Sequence, residues 1–118
     1  MADAFHSLDS ESAWTAALEH SDETPVLIYK HSATCPVSTS AQAEVEAVQS
    51  DASLPVYRVV VQEHRAVSNT IEDALGIRHE TPQVILLHEQ TPVFDTSHFD
   101  VTAEILYDEL QRLPVSSE

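Results

Sequence analysis

The stretch Val26-Leu27-Ile28-Tyr29-Lys30-His31-Ser32-Ala33-Thr34-Cys35-Pro36-Val37-Ser38 decides how the rest of this 118-residue chain is read. Val26 to Tyr29 is apolar at every position, the pattern of a strand buried on both faces. His31 to Thr34 reads as a loop. Pro36 suits the first turn of a helix, where its missing N–H costs nothing, and Ala41, Val45 and Val48 carry an apolar stripe on to about residue 49. Cys35, the single cysteine of the chain, is thereby predicted at the helix N-cap. There the unpaired N–H groups of Val37 and Ser38 and the positive end of the helix dipole favour the thiolate, the reactive form. The position carries this reading, because a lone cysteine is otherwise an ordinary small buried residue.

Outward from this stretch the punctuation is clear. On the N-terminal side, Ser10 is predicted to cap a helix over about 10–20, with Ala13, Trp14, Ala17 and Leu18 facing inward and Thr24-Pro25 closing it. Phe5, Trp14 and the leucines of the last helix are expected in the core. On the C-terminal side, Pro55 introduces a strand from Val56 to Val61. Asn69 and Glu72 have the spacing of a capping box, which predicts a short third helix on Ile71, Ala74 and Leu75, closed near Gly76. Gln83 to His88 is a third strand. Glu89-Gln90-Thr91 is a tight connection, and Pro92 to Asp95 a fourth strand, placed at an edge by its proline. Thr102 caps a final helix through Ile105, Leu106, Leu110 and Leu113. The order αβαβαββα implies a parallel pair from the βα units and a hairpin from the short connection. The expected architecture is α/β: one thioredoxin-like domain over residues 1–118, with a four-stranded mixed sheet and helices on both faces. Met1–Asp3 and Val115–Glu118 are expected to fray.

A second feature supports chemistry at Cys35. In this fold a proline just before the third strand is typically cis, sits against the nucleophilic cysteine, and leaves the preceding backbone free to pair with a disulfide substrate. Thr81-Pro82 stands at that point.

Composition narrows the function. Twenty acidic residues face five basic ones, for a formal net charge of −15. Nucleic acid and anionic membranes would be repelled. The acids are spread along the chain, so they do not form a binding tail. Such a surface suits a high-salt cytoplasm, where self-repulsion is screened. The single glycine, Gly76, excludes a P-loop and a dinucleotide fingerprint. No apolar run approaches the roughly 20 residues of a membrane helix. Met1 to Ser10 has neither a basic nor an apolar leader region, so no secretory signal is expected. With one cysteine no internal disulfide can form, and a cytoplasmic monomer is the expectation.

The segment Tyr29 to Ser38, with Thr34-Cys35-Pro36-Val37-Ser38 as its most specific part, resembles the active-site segment of the YtxJ-type monothiol bacilliredoxins. Glu80-Thr81-Pro82-Gln83 and Ser97-His98-Phe99-Asp100-Val101-Thr102 resemble later segments of that family, and the similarity runs from about residue 5 to 113. The resemblance implies removal of bacillithiol from mixed disulfides on proteins, with bacillithiol as the exchanging thiol and no bound cofactor. The nucleophile carries over to Cys35 and the cis-proline to Pro82. Val37 stands where the family motif has isoleucine. Thr34, Pro36, Ser38, Thr81 and Pro82 are the expected substrate contacts, with Ser97 and His98 lining the groove. Ser38 occupies the place of a dithiol enzyme's resolving cysteine, so an outside thiol must complete the reaction. Two uses stay open for its hydroxyl: donating to the Cys35 thiolate, or satisfying a first-turn helix group.

Three of the five basic residues neighbour a histidine, as Lys30-His31, His64-Arg65 and Arg78-His79. The topology puts all three pairs at the Cys35 end of the sheet. Lys30, His31, Arg65 and Arg78 are therefore expected to tune the charge of the site as a positive rim that attracts an anionic thiol, although loops collect charge in any protein. No metal site is expected, since no Cys-x-x-Cys or His-Glu-x-x-His spacing occurs. Two rivals remain. One is a redox-inactive thioredoxin-like module that binds peptides. The other is a monothiol glutaredoxin-like carrier of small thiols or iron–sulfur clusters. The latter is weakened by Cys-Pro-Val-Ser in place of Cys-Gly-Phe-Ser, and by Ser32 where glutaredoxins place a lysine.

Overall fold

The computed structural model describes residues 5–34 and 36–113. The N-cap place expected for Cys35, and the ends expected to fray, lie outside the described residues. The elements in chain order are β1 (His6–Ser7), α1 (Glu11–His20), β2 (Val26–His31), α2 (Pro36–Ala52), β3 (Val56–Val60), α3 (Arg65–Leu75), β4 (Gln83–His88), β5 (Thr91–Ser97), a 3₁₀ turn (His98–Asp100) and α4 (Ala103–Arg112).

The sheet has five strands in the order β1-β3-β2-β4-β5, not the four expected. The extra strand is β1, which pairs parallel to β3 through His6–Tyr57 and Ser7–Arg58. Two residues are too few to show an alternating pattern, so the sequence carries no strand signal there. β2 is parallel to β3 and antiparallel to β4, and β4 is antiparallel to β5. Central β2 and β4 are buried on both faces over their first five residues, which explains their continuous apolar runs. One face packs Leu27, Tyr29, Val84 and Leu86 against Ala41, Val45 and Val48 of α2 and Leu106 of α4. The other packs Val26, Ile28, Ile85 and Leu87 against Trp14 and Ala17 of α1 and Val67 and Ile71 of α3.

The caps of α1 and α4 follow the sequence: Ser10 Oγ accepts from the Ala13 N–H and Thr102 Oγ1 from the Ile105 N–H. The start of α3 differs. The helix begins at Arg65, with His64 at an N-cap that makes no side-chain bond, and Asn69 lies inside it. The Glu72 carboxylate is not used for a capping box either, because it accepts the His79 N–H at 3.1 Å. The other end is as expected: Gly76 closes α3 in the left-handed region at φ 68°. β2 runs past Tyr29 to His31, so Lys30 lies in the sheet, and so does His31, the first residue of the expected loop.

Candidate active site

Register sets the site. Lys30 pairs with Gln83 across β2 and β4, so Thr81-Pro82 lies beside the point where β2 ends and the Ser32–Thr34 loop begins. The Thr81–Pro82 bond is cis, and Pro82 is buried. On the far side of β4, Ser97 pairs with Gln83. The His98 N–H donates to the Pro82 carbonyl at 2.8 Å, and its ring Nε2 lies 3.0 Å from Glu80 Oε1. Ser97 and His98 thus flank the Thr81-Pro82 segment. His98 also lines a cavity of about 170 Å³ with Val37 and Ser40 of α2 and with Phe99, a side chain 81% exposed.

The strand-to-helix loop is tied to its surroundings by neutral hydrogen bonds. Ser38 is fully buried, and its Oγ accepts the Ser32 N–H at 3.3 Å. The hydroxyl therefore fastens the loop to the first turn of α2, a use outside the two considered from sequence. Tyr29 Oη donates to the Ser38 carbonyl at 2.9 Å and lies 2.8 Å from His31 Nδ1. Gln62, just past β3, clasps the loop from the side. Its Oε1 accepts the Ala33 N–H at 3.0 Å, and its Nε2 donates to Ser32 Oγ at 2.7 Å and to Thr34 Oγ1 at 3.3 Å. Thr34 and Pro36, on either side of Cys35, are both exposed.

The expected charge-tuning residues separate into two kinds. Arg65 is exposed. Arg78 is exposed as well, with its Nε 3.9 Å from Glu80 Oε2. Lys30, by contrast, is fully buried, and burial pushes its pKa down against the pull of Glu72. His31 is half-buried; burial and then the Arg58 charge lower its pKa, which keeps the ring neutral at pH 7. His79 is lowered by burial first, then by Lys30 and Arg65, with Glu72 and Glu80 opposing. Of the four residues expected to tune the charge, Arg65 and Arg78 are the exposed ones. Sequence reasoning passed over Gln62 and Gln83, because a lone glutamine beside a strand has no distinguishing pattern. Among the described residues, no three histidine or acidic side chains are grouped to hold a metal, and no helix is long and apolar enough to cross a membrane.

A cis-proline segment set beside a strand-to-helix loop, on a mixed sheet with helices on both faces, defines a protein of the thioredoxin fold. The solved structures agree. A protein described as a candidate oxidoreductase with a thioredoxin fold is similar at a TM-score of 0.83 and 25% identity, over 89% of this chain and 92% of that one. Thioredoxin O2 from Arabidopsis thaliana gives 0.74 at 20% identity, over 96% of each chain. Fasciola hepatica thioredoxin gives 0.75 at 11%, over 92% and 98%, a likeness of fold alone. The model of the family described as monothiol bacilliredoxin BrxC matches residues 6–106, and the chain belongs to that family. It is a thiol oxidoreductase.

Proposed function

We propose that the protein removes bacillithiol from protein mixed disulfides with Cys35 as the sole nucleophile. The Cys35 thiolate attacks the bacillithiol sulfur. The bond between that sulfur and the client protein breaks, and the client's thiolate leaves and takes a proton from water. Cys35 now holds bacillithiol as a mixed disulfide. A second small thiol, as thiolate, attacks the bacillithiol sulfur and forms a small-molecule disulfide, which regenerates the Cys35 thiolate. In the net exchange one outside thiol is consumed: its sulfur replaces the client's in the disulfide with bacillithiol, and the client leaves as a free thiol.

The observation that carries this reading is the family match together with a single cysteine followed three residues later by Ser38. Ser38 has no thiol with which to close an internal disulfide, so the small thiol stays on Cys35 until another arrives. The neighbouring structure fits these roles. The backbone of Thr81, with Pro82, Ser97 and His98, is available to hold the client chain. Thr34 and Pro36 are accessible on either side of Cys35, and Arg65 and Arg78 supply positive charge for an anionic thiol. A chain without an internal disulfide suits the reducing cytoplasm.

The ionisation of Cys35 tests the nucleophile. Titration of thiolate absorbance is expected to give a pKa below the free-cysteine value of about 8.5, as in reactive cysteines of this kind. A value at or above it would favour a redox-inactive binding module instead.

A further inference from the structure

We infer that Lys30 is a positioning residue of the exchange site, holding the Arg78–Pro82 segment in place through the ring of His79. The inference rests on the exchange reading above and deepens it. Lys30 lies in central β2 with its side chain on the α3 face, fully buried. Its ammonium donates to the Ser68 carbonyl at 3.3 Å and to His79 Nδ1 at 3.2 Å. A buried ammonium is expensive unless well paired, and a methionine of similar length would fill the same space without that cost. These two partners are neutral, and the pull of Glu72 is smaller than the cost of burial, so charge pairing does not explain the lysine.

What the ammonium does supply is orientation. It can only donate, so His79 Nδ1 accepts and the ring proton sits on Nε2. The Ser68 hydroxyl lies 3.1 Å from the same nitrogen. Burial and the charges of Lys30 and Arg65, against Glu72 and Glu80, keep that ring neutral. The rest of the segment is tied down to match. The His79 N–H donates to Glu72 Oε2 at 3.1 Å. Gln83, the cross-strand partner of Lys30, donates from Nε2 to the Arg78 carbonyl at 2.9 Å, and its Oε1 accepts the Glu80 N–H at 3.4 Å. Arg78, His79 and Glu80, the three residues before Thr81, are thus each fixed to a side chain of β2, α3 or β4. Lys30 is the link to the most central strand. Reacting groups held by such supports tolerate little displacement.

The test is Lys30→Met in the full-length protein, with a bacillithiol-capped model protein as substrate. The expected result is a KM raised about tenfold with kcat unchanged, the signature of client binding lost equally from the ground and transition states. The Cys35 thiol pKa should stay where it is, and nitrogen NMR should show the His79 ring leaving its single tautomer. A raised thiol pKa with lower kcat and unchanged KM would overturn the inference, because Lys30 would then act as a charge on the cysteine. No change in any readout would overturn it as well. If Lys30→Met fails to fold, His79→Gln and Ser68→Ala read the same KM-against-kcat split. If the wild type shows no exchange at all, the exchange reading falls by itself. Amide hydrogen exchange at residues 78–80 then decides for Lys30: faster in Lys30→Met supports positioning, and unchanged contradicts it.

Discussion

Tyr29 carries one hydroxyl proton between two of its neighbours, the Ser38 carbonyl and His31 Nδ1. If the proton goes to the carbonyl, the neutral His31 ring must donate from Nδ1, which leaves Nε2 as its acceptor. One buried hydroxyl therefore joins the end of β2 to the first turn of α2 and sets a histidine tautomer. Tyr29→Phe is expected to cost about 1–2 kcal/mol in urea denaturation, since both partners lose a bond in a buried place. His31 and His79 also predict a pH dependence. Burial lowers both pKa values from 6.5, so below that pH the unfolded chain takes up protons that the native rings refuse. Stability should fall as pH drops through 6.5 and keep falling until the native pKa values are passed. The limit is about 1.4 kcal/mol per pH unit for each ring. The difference between urea midpoints at two pH values, one on each side of this window, should shrink in the His31→Gln/His79→Gln double variant. An unchanged difference would mean that the rings do not contribute.

Of the elements that end in left-handed backbone, α3 and β4 show opposite consequences. At Gly76 the C-cap of α3 has φ 68° and open space where a Cβ would stand. Gly76→Ala should therefore cost about 1 kcal/mol from conformation alone, read as a lower urea midpoint. In the β4–β5 turn the residues are Glu89 at φ 54° and Gln90 at φ 64°, where hairpins usually place glycine or asparagine. The turn survives because the C-terminal end of α1 holds it: the Glu89 N–H donates to the Ser21 carbonyl at 2.8 Å and the Gln90 N–H to Ser21 Oγ at 2.9 Å. Glu89→Gly should raise stability by up to about 1 kcal/mol, because the backbone bond is kept and the side-chain strain is removed. Elements of this kind also mark what the sequence could reveal. The continuous apolar runs of β2 and β4 and the capping residues Ser10 and Thr102 act locally, so they were legible. The start of α3 was not, because Glu72 serves a backbone N–H outside its own helix. β1 was not legible either, since pairing with β3 alone makes those two residues a strand.

For the whole molecule, charge is the governing quantity. A net charge of −15 on 118 residues implies self-repulsion that salt should screen. Thermal stability is expected to rise between low and molar potassium chloride; a fall would remove the case for a high-salt setting. Against that field, Arg65 and Arg78 should matter to an anionic substrate. Arg65→Glu/Arg78→Glu is expected to slow reaction with a charged low-molecular-weight disulfide, and more strongly at low salt than at high. An unchanged rate would dismiss the positive rim. Beside the Ser32–Thr34 loop, the cis bond at Thr81-Pro82 was legible, because a proline at that point of the chain order is tied to the fold. The supports of the site were hidden, because Gln62, Gln83 and the buried Lys30 acquire meaning only once distant segments meet. The most direct test of the proposed function is intact-mass analysis of the protein after mixing with bacillithiol-capped and, separately, glutathione-capped model proteins. A gain of one bacillithiol on Cys35, absent in Cys35→Ser and absent with the glutathione-capped protein, is the predicted result; no gain with either would contradict the account.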